Sequence, residues 1–261
     1  MTSPVTYELD GDVALVGLNR PDKRNALNDE MIGLLADAFR RAEREAGAGV
    51  VFGHGPNFSS GLDLREMADR MAGDTGERRR TRHHWHEAFD IMARGSVPFV
   101  AAVSGAVVGG GLELAAAAHI RVADRTAYFC LPEASRGIFV GGGGAVRIQR
   151  LIGTAPMMDM MLTGRALDVD EAQQLRLVQY VEPDDAFARA KTLAARIARN
   201  PRNSNWAITH LLPRINDMSH DDGLFVELLA ALAVPTDEST ERLAAFLEKR
   251  ADRVRSPSDK N

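Results

Sequence analysis

The 261-residue chain has one cysteine, Cys130, so it forms no internal disulfide and no cysteine-built zinc site. It also lacks a long apolar run. The uncharged stretch from Val97 to Leu112 spans 16 residues, holds Pro98, Ser104 and four glycines, and meets Glu113 at once. That is too short to span a bilayer, so no membrane association is expected. An excess of basic residues is missing as well: 32 Lys and Arg stand against 36 Asp and Glu, for a net charge of −4. Broad nucleic-acid binding needs a basic face and is not expected. The first ten residues show neither a basic n-region nor an apolar h-region, so a cytoplasmic protein is expected.

What remains is an ordinary soluble composition, 45% hydrophobic and 26% charged. The length suits one large domain or one and a half. Val5, Tyr7 and Leu9 alternate with polar residues, Asp10-Gly11 turns, and Val13 to Leu18 returns, which predicts a hairpin. Asn28 caps a helix whose apolar residues Met31, Leu34, Leu35, Ala38, Phe39 and Ala42 recur with helical spacing. Strands are expected at 50–52, 97–103, 120–122 and 127–129. Gly73 to Arg82 reads as a polar mobile segment, followed by a helix with Trp85, Phe89 and Met92 on one face. Leu112 to His119 reads as a short helix, and a second glycine run, Gly141 to Gly144, opens another helix through Ile152. This alternation predicts an α/β architecture with a parallel sheet. From Ala186 the pattern is helical, ending in an amphipathic helix with Leu243, Phe246, Leu247 and Val254, then a polar tail from Ser256.

Two glycine-rich segments offer backbone N–H groups to a ligand: Asn57-Phe58-Ser59-Ser60-Gly61-Leu62-Asp63-Leu64, and Gly109-Gly110-Gly111-Leu112-Glu113-Leu114-Ala115. Neither is a phosphate loop. No Gly-Lys-Ser/Thr occurs, and Leu114 or Val146 stands where a dinucleotide fingerprint needs its third glycine. Two readings stay open: an oxyanion hole made from two N–H groups, or two tight strand–helix turns. Glu113 and Glu133 both sit in apolar surroundings near these turns. Such carboxylates suit acid/base work, because burial and mutual repulsion set their pKa values.

With four blocks in order, the chain resembles the enoyl-CoA hydratase/isomerase (crotonase) superfamily over nearly its whole length. The blocks are Leu18 to Leu27, Phe58 to Leu64, Gly109 to Ala115, and Leu131-Pro132-Glu133 with Gly137 and Gly141 to Gly144. Phe246 to Arg250 is similar to the family's C-terminus. The resemblance implies a crotonase-like spiral of ββα units over residues 1–195. A C-terminal α-helical region over 196–261 would serve oligomerisation, giving a homotrimer or a dimer of trimers. The substrate would be an acyl-CoA thioester, with no separate cofactor and no metal.

The resemblance also implies site residues. Glu113 and Glu133 would be catalytic, the first activating water and the second exchanging the α-proton. Ser60 and Gly110 N–H would form the oxyanion hole. Arg24, Ala26, Ser60, Gly61, Leu62, Asp63 and Gly110 would bind the CoA portion, and Trp85, Phe89, Phe139 and Val140 would line the acyl pocket. Having both glutamates favours reversible hydration of a trans-2-enoyl-CoA over the isomerase, hydrolase and hydratase-lyase reactions, or a non-catalytic thioester-binding role. Each acid/base group is worth about 10²–10⁴-fold and one oxyanion donor about 10²–10³-fold. Val140 departs from the family, which often has proline there.

Other residues read more plainly. His83, His84 and His86 lack the shared face that a metal site needs. Cys130 has apolar neighbours and reads as a buried small hydrophobe. Asp63 reads as a backbone organiser, Arg78 to Arg80 as a solvated run, and Met157, Met158, Met160 and Met161 as packing residues.

Overall fold

The protein is described by a computed structural model covering residues 2–71 and 75–248, the side chains of 67, 69–71, 75–83 and 237 excepted. The chain forms two compact units, one through Arg199 and one from Asn200.

The first unit opens with the expected hairpin, β1 (Val5–Asp10) and β2 (Val13–Leu18). Helix α1 (Asp29–Glu45) is capped by the Asn28 side chain, which accepts from Met31 N–H at 3.1 Å. Then come β3 (Ala48–Gly53), α2 (Leu64–Met71), α3 (Thr75–Arg94), β4 (Phe99–Val103), β5 (Ala106–Val108) and α4 (Gly110–Ala117). They are followed by β6 (Ile120–Asp124), β7 (Tyr128–Cys130), α5 (Gly144–Ile152), α6 (Thr154–Thr163), β8 (Ala166–Leu167), α7 (Val169–Gln174), β9 (Tyr180–Glu182) and α8 (Ala186–Ala198).

The strands fall into two sheets. The larger has the order β1-β2-β3-β4-β6-β9 and is parallel except for the opening hairpin. The smaller has the order β5-β7-β8. Two turns of the chain, β4-β5-α4 and β6-β7-α5, each add one strand to each sheet and then a helix, which is the repeating ββα unit of a spiral. Strand alternation explains the two-sided burial of the larger sheet. Ala14, Val16 and Leu18 face the main core with Val51, Ala101 and Val103. Val13, Leu15, Val50, Val100 and Ala102 face the opposite way, against Ala186, Ala190 and Ala194 of α8. Buried Arg121 donates to the carbonyls of Leu177 and Ala118, tying the approach to β9 onto β6.

The second unit contains α9 (Arg202–Ile215), α10 (His220–Ala233) and α11 (Asp237–Leu247). On α10, Leu224, Phe225, Leu228, Leu229 and Leu232 are all exposed and share one helical face.

Four sequence expectations are adjusted. Residues 75–82 are helical, because α3 begins at Thr75 rather than after a mobile segment. Helix α4 begins at Gly110 rather than Leu112, which makes Gly110 its first helical residue. The short strands β8 and β9 had no visible period. Helix α11 ends at Leu247, and Leu243, Phe246 and Leu247 are exposed on it. The side chains of Arg78 to Arg80 and His83, together with Lys249, Arg250, Val254 and the tail, lie outside the described residues. Met157 and Met160 are buried, whereas Met158 faces outward.

Candidate active site

Three chain segments meet where the two sheets approach each other. The loop after β3 joins the smaller sheet through a bridge between Ser59 and Val107. A second bridge joins Leu27 and Leu62. In it, Leu27 N–H donates to the Gly61 carbonyl and Asp63 N–H donates to the Leu27 carbonyl, both at 2.8 Å. The peptide between Gly61 and Leu62 is planar and trans, so its N–H points opposite to its carbonyl. Pinning the Gly61 carbonyl on Leu27 therefore turns the Leu62 N–H away from Leu27, and it has no partner among the described residues.

Helix α4 supplies the second donor. Glu113 N–H closes the first helical turn onto the Gly109 carbonyl at 3.0 Å, which sends the Gly110 N–H outward from the helix start. It too is unpaired among the described residues. The two nitrogens are close: a methyl group on Gly110 would lie 3.6 Å from Leu62 N, and one on Gly61 would lie 3.2 Å from Gly110 N. Two free N–H groups from different loops, one at a helix N-terminus, are suited to a developing oxyanion.

This corrects the expectation for Ser60. Its N–H donates to the Arg24 carbonyl at 2.9 Å and is not available to a ligand. Leu62, two residues on, provides the free N–H instead. Side-chain identity gives no sign of this. Only the bridge to Leu27 shows which peptide in the Ser60-Gly61-Leu62 run is turned outward.

The two glutamates are held in different ways. Glu113, 3% exposed, sits in a cradle made by the glycine run. Its Oε1 accepts from Gly142 N–H at 2.7 Å and Gly144 N–H at 2.8 Å, and its Oε2 from Gly141 N–H at 3.4 Å. A methyl on Gly144 would lie 2.7 Å from Glu113 Cγ, so the backbone can come this near only without a side chain. Glu133, 6% exposed, leaves its buried Oε2 without a partner among the described residues. Burial raises its pKa to about 7, and the negative charge of Glu113 adds to the rise, while its own N–H and Arg136 oppose it. Gly109 has φ 51 and ψ −121, and a methyl there would lie 2.8 Å from Glu133 Oε1. Glu133 therefore lies beside the turn that presents the Gly110 donor. Cys130, on the strand leading to Glu133, holds that turn through its carbonyl, which accepts from Gly109 N–H at 2.9 Å. Its thiol is half-buried, donates to the Gly164 carbonyl at 3.3 Å, and is pushed up by burial and by Glu133. That is the opposite of an activated nucleophile.

The aromatic residues on α3 form one wall. Trp85 and Phe89 are buried and meet edge-on, with centroids 5.9 Å apart. The Trp85 indole N–H donates to Asp29 at 3.0 Å, and its ring lies 3.0 Å from the methyl position of Gly110. Val140 is buried, but Phe139 is 62% exposed and contributes no packed wall within this chain.

At the outer end, Asp63 pairs with Arg20 at 3.0 Å, and Lys23 lies 4.0 Å away. Burial raises the Asp63 pKa, but the hydrogen bond and charge of Arg20 outweigh it and hold the carboxyl below its ordinary range. Arg20 also donates to the Ala26 carbonyl at 2.5 Å, so Asp63 organises this loop through Arg20. Arg24 is exposed and adopts a left-handed backbone with φ 50. Beneath it, Asn25 is fully buried, donating to His54 and Asn57 carbonyls and accepting from Arg20 N–H. Ser59 hydroxyl bridges the Asn25 carbonyl and Gly61 N–H. This Asn25–Ser59 network was not anticipated, since neither residue type signals a loop anchor by itself.

Comparison with known proteins gives the family of the chain. The enoyl-CoA hydratase/isomerase family model matches residues 8–255. A Mycobacterium tuberculosis protein named a probable enoyl-CoA hydratase is 34% identical over 251 residues, covering 95% of this chain and 96% of its own. The 2,3-dehydroadipyl-CoA hydratase of Escherichia coli K12 is 33% identical, covering 91% and 93%. A crystal structure from Rhodopseudomonas palustris, provisionally named an enoyl-CoA hydratase, superposes with a TM-score of 0.91 at 44% identity, covering 95% and 96%. The chain has the crotonase fold and belongs to the enoyl-CoA hydratase/isomerase family.

Proposed function

We propose that the protein is an enoyl-CoA hydratase that adds water reversibly to a trans-2-enoyl-CoA and yields the 3-hydroxyacyl-CoA. One observation carries this reading. Two N–H groups, unpaired among the described residues, converge beside two buried carboxylates, and burial pushes the pKa of one of these up to about 7.

The thioester oxygen accepts from Leu62 and Gly110 N–H. As water adds at the β-carbon, negative charge moves onto that oxygen, and these donors stabilise the enolate. Glu113 holds the attacking water. Its Oε2 carries only the longer bond to Gly141 N–H, which leaves acceptor capacity for a water proton. As the β C–O bond forms, the water's proton passes to Glu113 while Glu133 gives its proton to the α-carbon. The proton on Glu113 then returns to Glu133 through solvent, so both carboxyls are reset, and the same steps run backward in dehydration. With a pKa of about 7 it populates both forms under working conditions. Trp85, Phe89 and Val140 bound the acyl group, while Arg24, Ala26, Gly61 and Leu62 border the CoA portion, with Asp63 acting through Arg20. The chain acts without a separate cofactor or metal. The uncovered apolar face of α10 is buried between copies in a homotrimer or dimer of trimers.

The test mixes the purified protein with crotonyl-CoA and follows the conjugated thioester absorbance, with product mass. Loss of absorbance with gain of one water and retention of CoA supports hydration. A product without CoA, or a shifted double bond of unchanged mass, replaces it with a hydrolase or isomerase reading.

A further inference from the structure

We propose that Asp90 and Arg147 form a positioning pair that fixes the glycine cradle around Glu113 and so sets the turnover of the site. The inference rests on the proposed function, in which Glu113 orients the attacking water.

The contacts form a chain. Arg147 Nη1 donates to the Gly142 carbonyl at 2.9 Å, and its Nη2 donates to Asp90 Oδ1. The N–H of the same residue, Gly142, donates to Glu113 Oε1 at 2.7 Å. Gly142 is therefore held at both ends, by the guanidinium on one side and by the carboxylate it serves on the other. The planar fork of arginine allows one side chain to take a carbonyl and a carboxylate together, which lysine cannot reproduce.

The location of each partner suits this task. Asp90 follows Phe89 on α3, and a methyl on Gly142 would lie 2.7 Å from the Phe89 ring. One helix thus supplies both the floor under the cradle and the anchor for its arginine. Arg147 lies in the first turn of α5, where the helix dipole disfavours a cation. Its side chain turns back over the glycine run and is only 18% exposed. A residue that departs from a local rule and reaches toward a catalytic loop is better explained by that loop than by helix stability. Asp90 also lies 3.8 Å from Arg94, but it is Arg147 that links it to the cradle.

A small displacement at a catalytic group can cost about 10²-fold in rate. We expect Arg147→Gln to lower kcat for crotonyl-CoA about 10–100-fold, with KM changed less than about threefold. Asp90→Asn should give a smaller loss of the same kind, and Arg147→Lys an intermediate one. Because the pair acts through Glu113, Arg147→Gln placed on Glu113→Gln should cost less than about threefold more. Circular dichroism and melting curves check that each variant is folded. Multiplying losses in the double variant, or a raised KM with unchanged kcat, would overturn the proposal.

A second measurement does not depend on turnover. Amide hydrogen exchange over 141–146 should accelerate in both Arg147→Gln and Asp90→Asn, and unchanged exchange also overturns the proposal. If the wild-type chain hydrates nothing, or Glu113→Gln keeps full activity, the hydratase reading fails while the exchange result still decides the positional one.

Discussion

Glu133→Gln should change how the stability of the protein depends on pH. The Glu133 carboxyl is buried and one of its oxygens has no partner among the described residues. Its pKa rises from an ordinary 4.5 to about 7 on folding, chiefly through burial and further through the charge of Glu113. Between these values the folded chain binds the proton more tightly than the unfolded chain. The stability contributed by this group is therefore fully present below about pH 4.5 and is lost as pH rises through about 7. The rise corresponds to at most about 3 kcal/mol. Glutamine keeps the shape and never ionises, so the variant escapes this loss. At roughly 2–4 °C per kcal/mol for a chain of this size, the variant should gain up to about 10 °C relative to wild type at pH 8 over pH 5. The assay is thermal unfolding of both proteins at both pH values. Comparing the differences cancels the constant cost of the added amide N–H. Equal differences at the two pH values, or a smaller one at pH 8, would refute a buried carboxyl that ionises near neutrality.

Ser60→Ala should keep kcat/KM within about threefold, because the only contact it removes is the 3.4 Å one from the hydroxyl to the Lys23 carbonyl. A tenfold loss would show that the Ser60 hydroxyl itself serves the substrate. Gly109→Ala should lower both melting temperature and kcat: the backbone at φ 51 disfavours a side chain by about 1–3 kcal/mol, and the methyl would press on Glu133 Oε1. Unfolding and steady-state kinetics on the one variant check both parts. Leu228→Glu with Leu232→Glu should reduce the mass seen in sedimentation, since both residues lie on the uncovered face of α10. An unchanged mass would move the interface elsewhere.

The elements were legible where one physical rule acts locally. Alternation gave the β1–β2 hairpin, the Asn28 cap and its periodic apolar residues gave α1, and the alanine-rich run after Gly111 gave most of α4. The strands β8 and β9 have two and three residues, too few to show a period, and they exist because sheet partners await them. Both glutamates stood out as charges in apolar surroundings. Their supports did not. Gly142 and Gly144 lie 29 and 31 residues from Glu113, and Asp90 lies 57 from Arg147, so each contact depends on how the spiral closes. The exchange of Leu62 for Ser60 has the same origin: it follows from strand pairing with Leu27, which no side chain announces.

Both donors of the candidate oxyanion hole are main-chain groups, and this decides which experiments can see them. An alanine scan leaves the N–H of Leu62 and Gly110 in place and reports only side-chain loss or crowding against Trp85. Conversely, the side chain at 62 is free to vary without loss of the donor, so acyl or CoA preference can drift there while the chemistry stays constant. The informative change is an amide-to-ester replacement at position 62, installed by semisynthesis or an α-hydroxy acid. It replaces the one N–H by an oxygen and keeps every side chain.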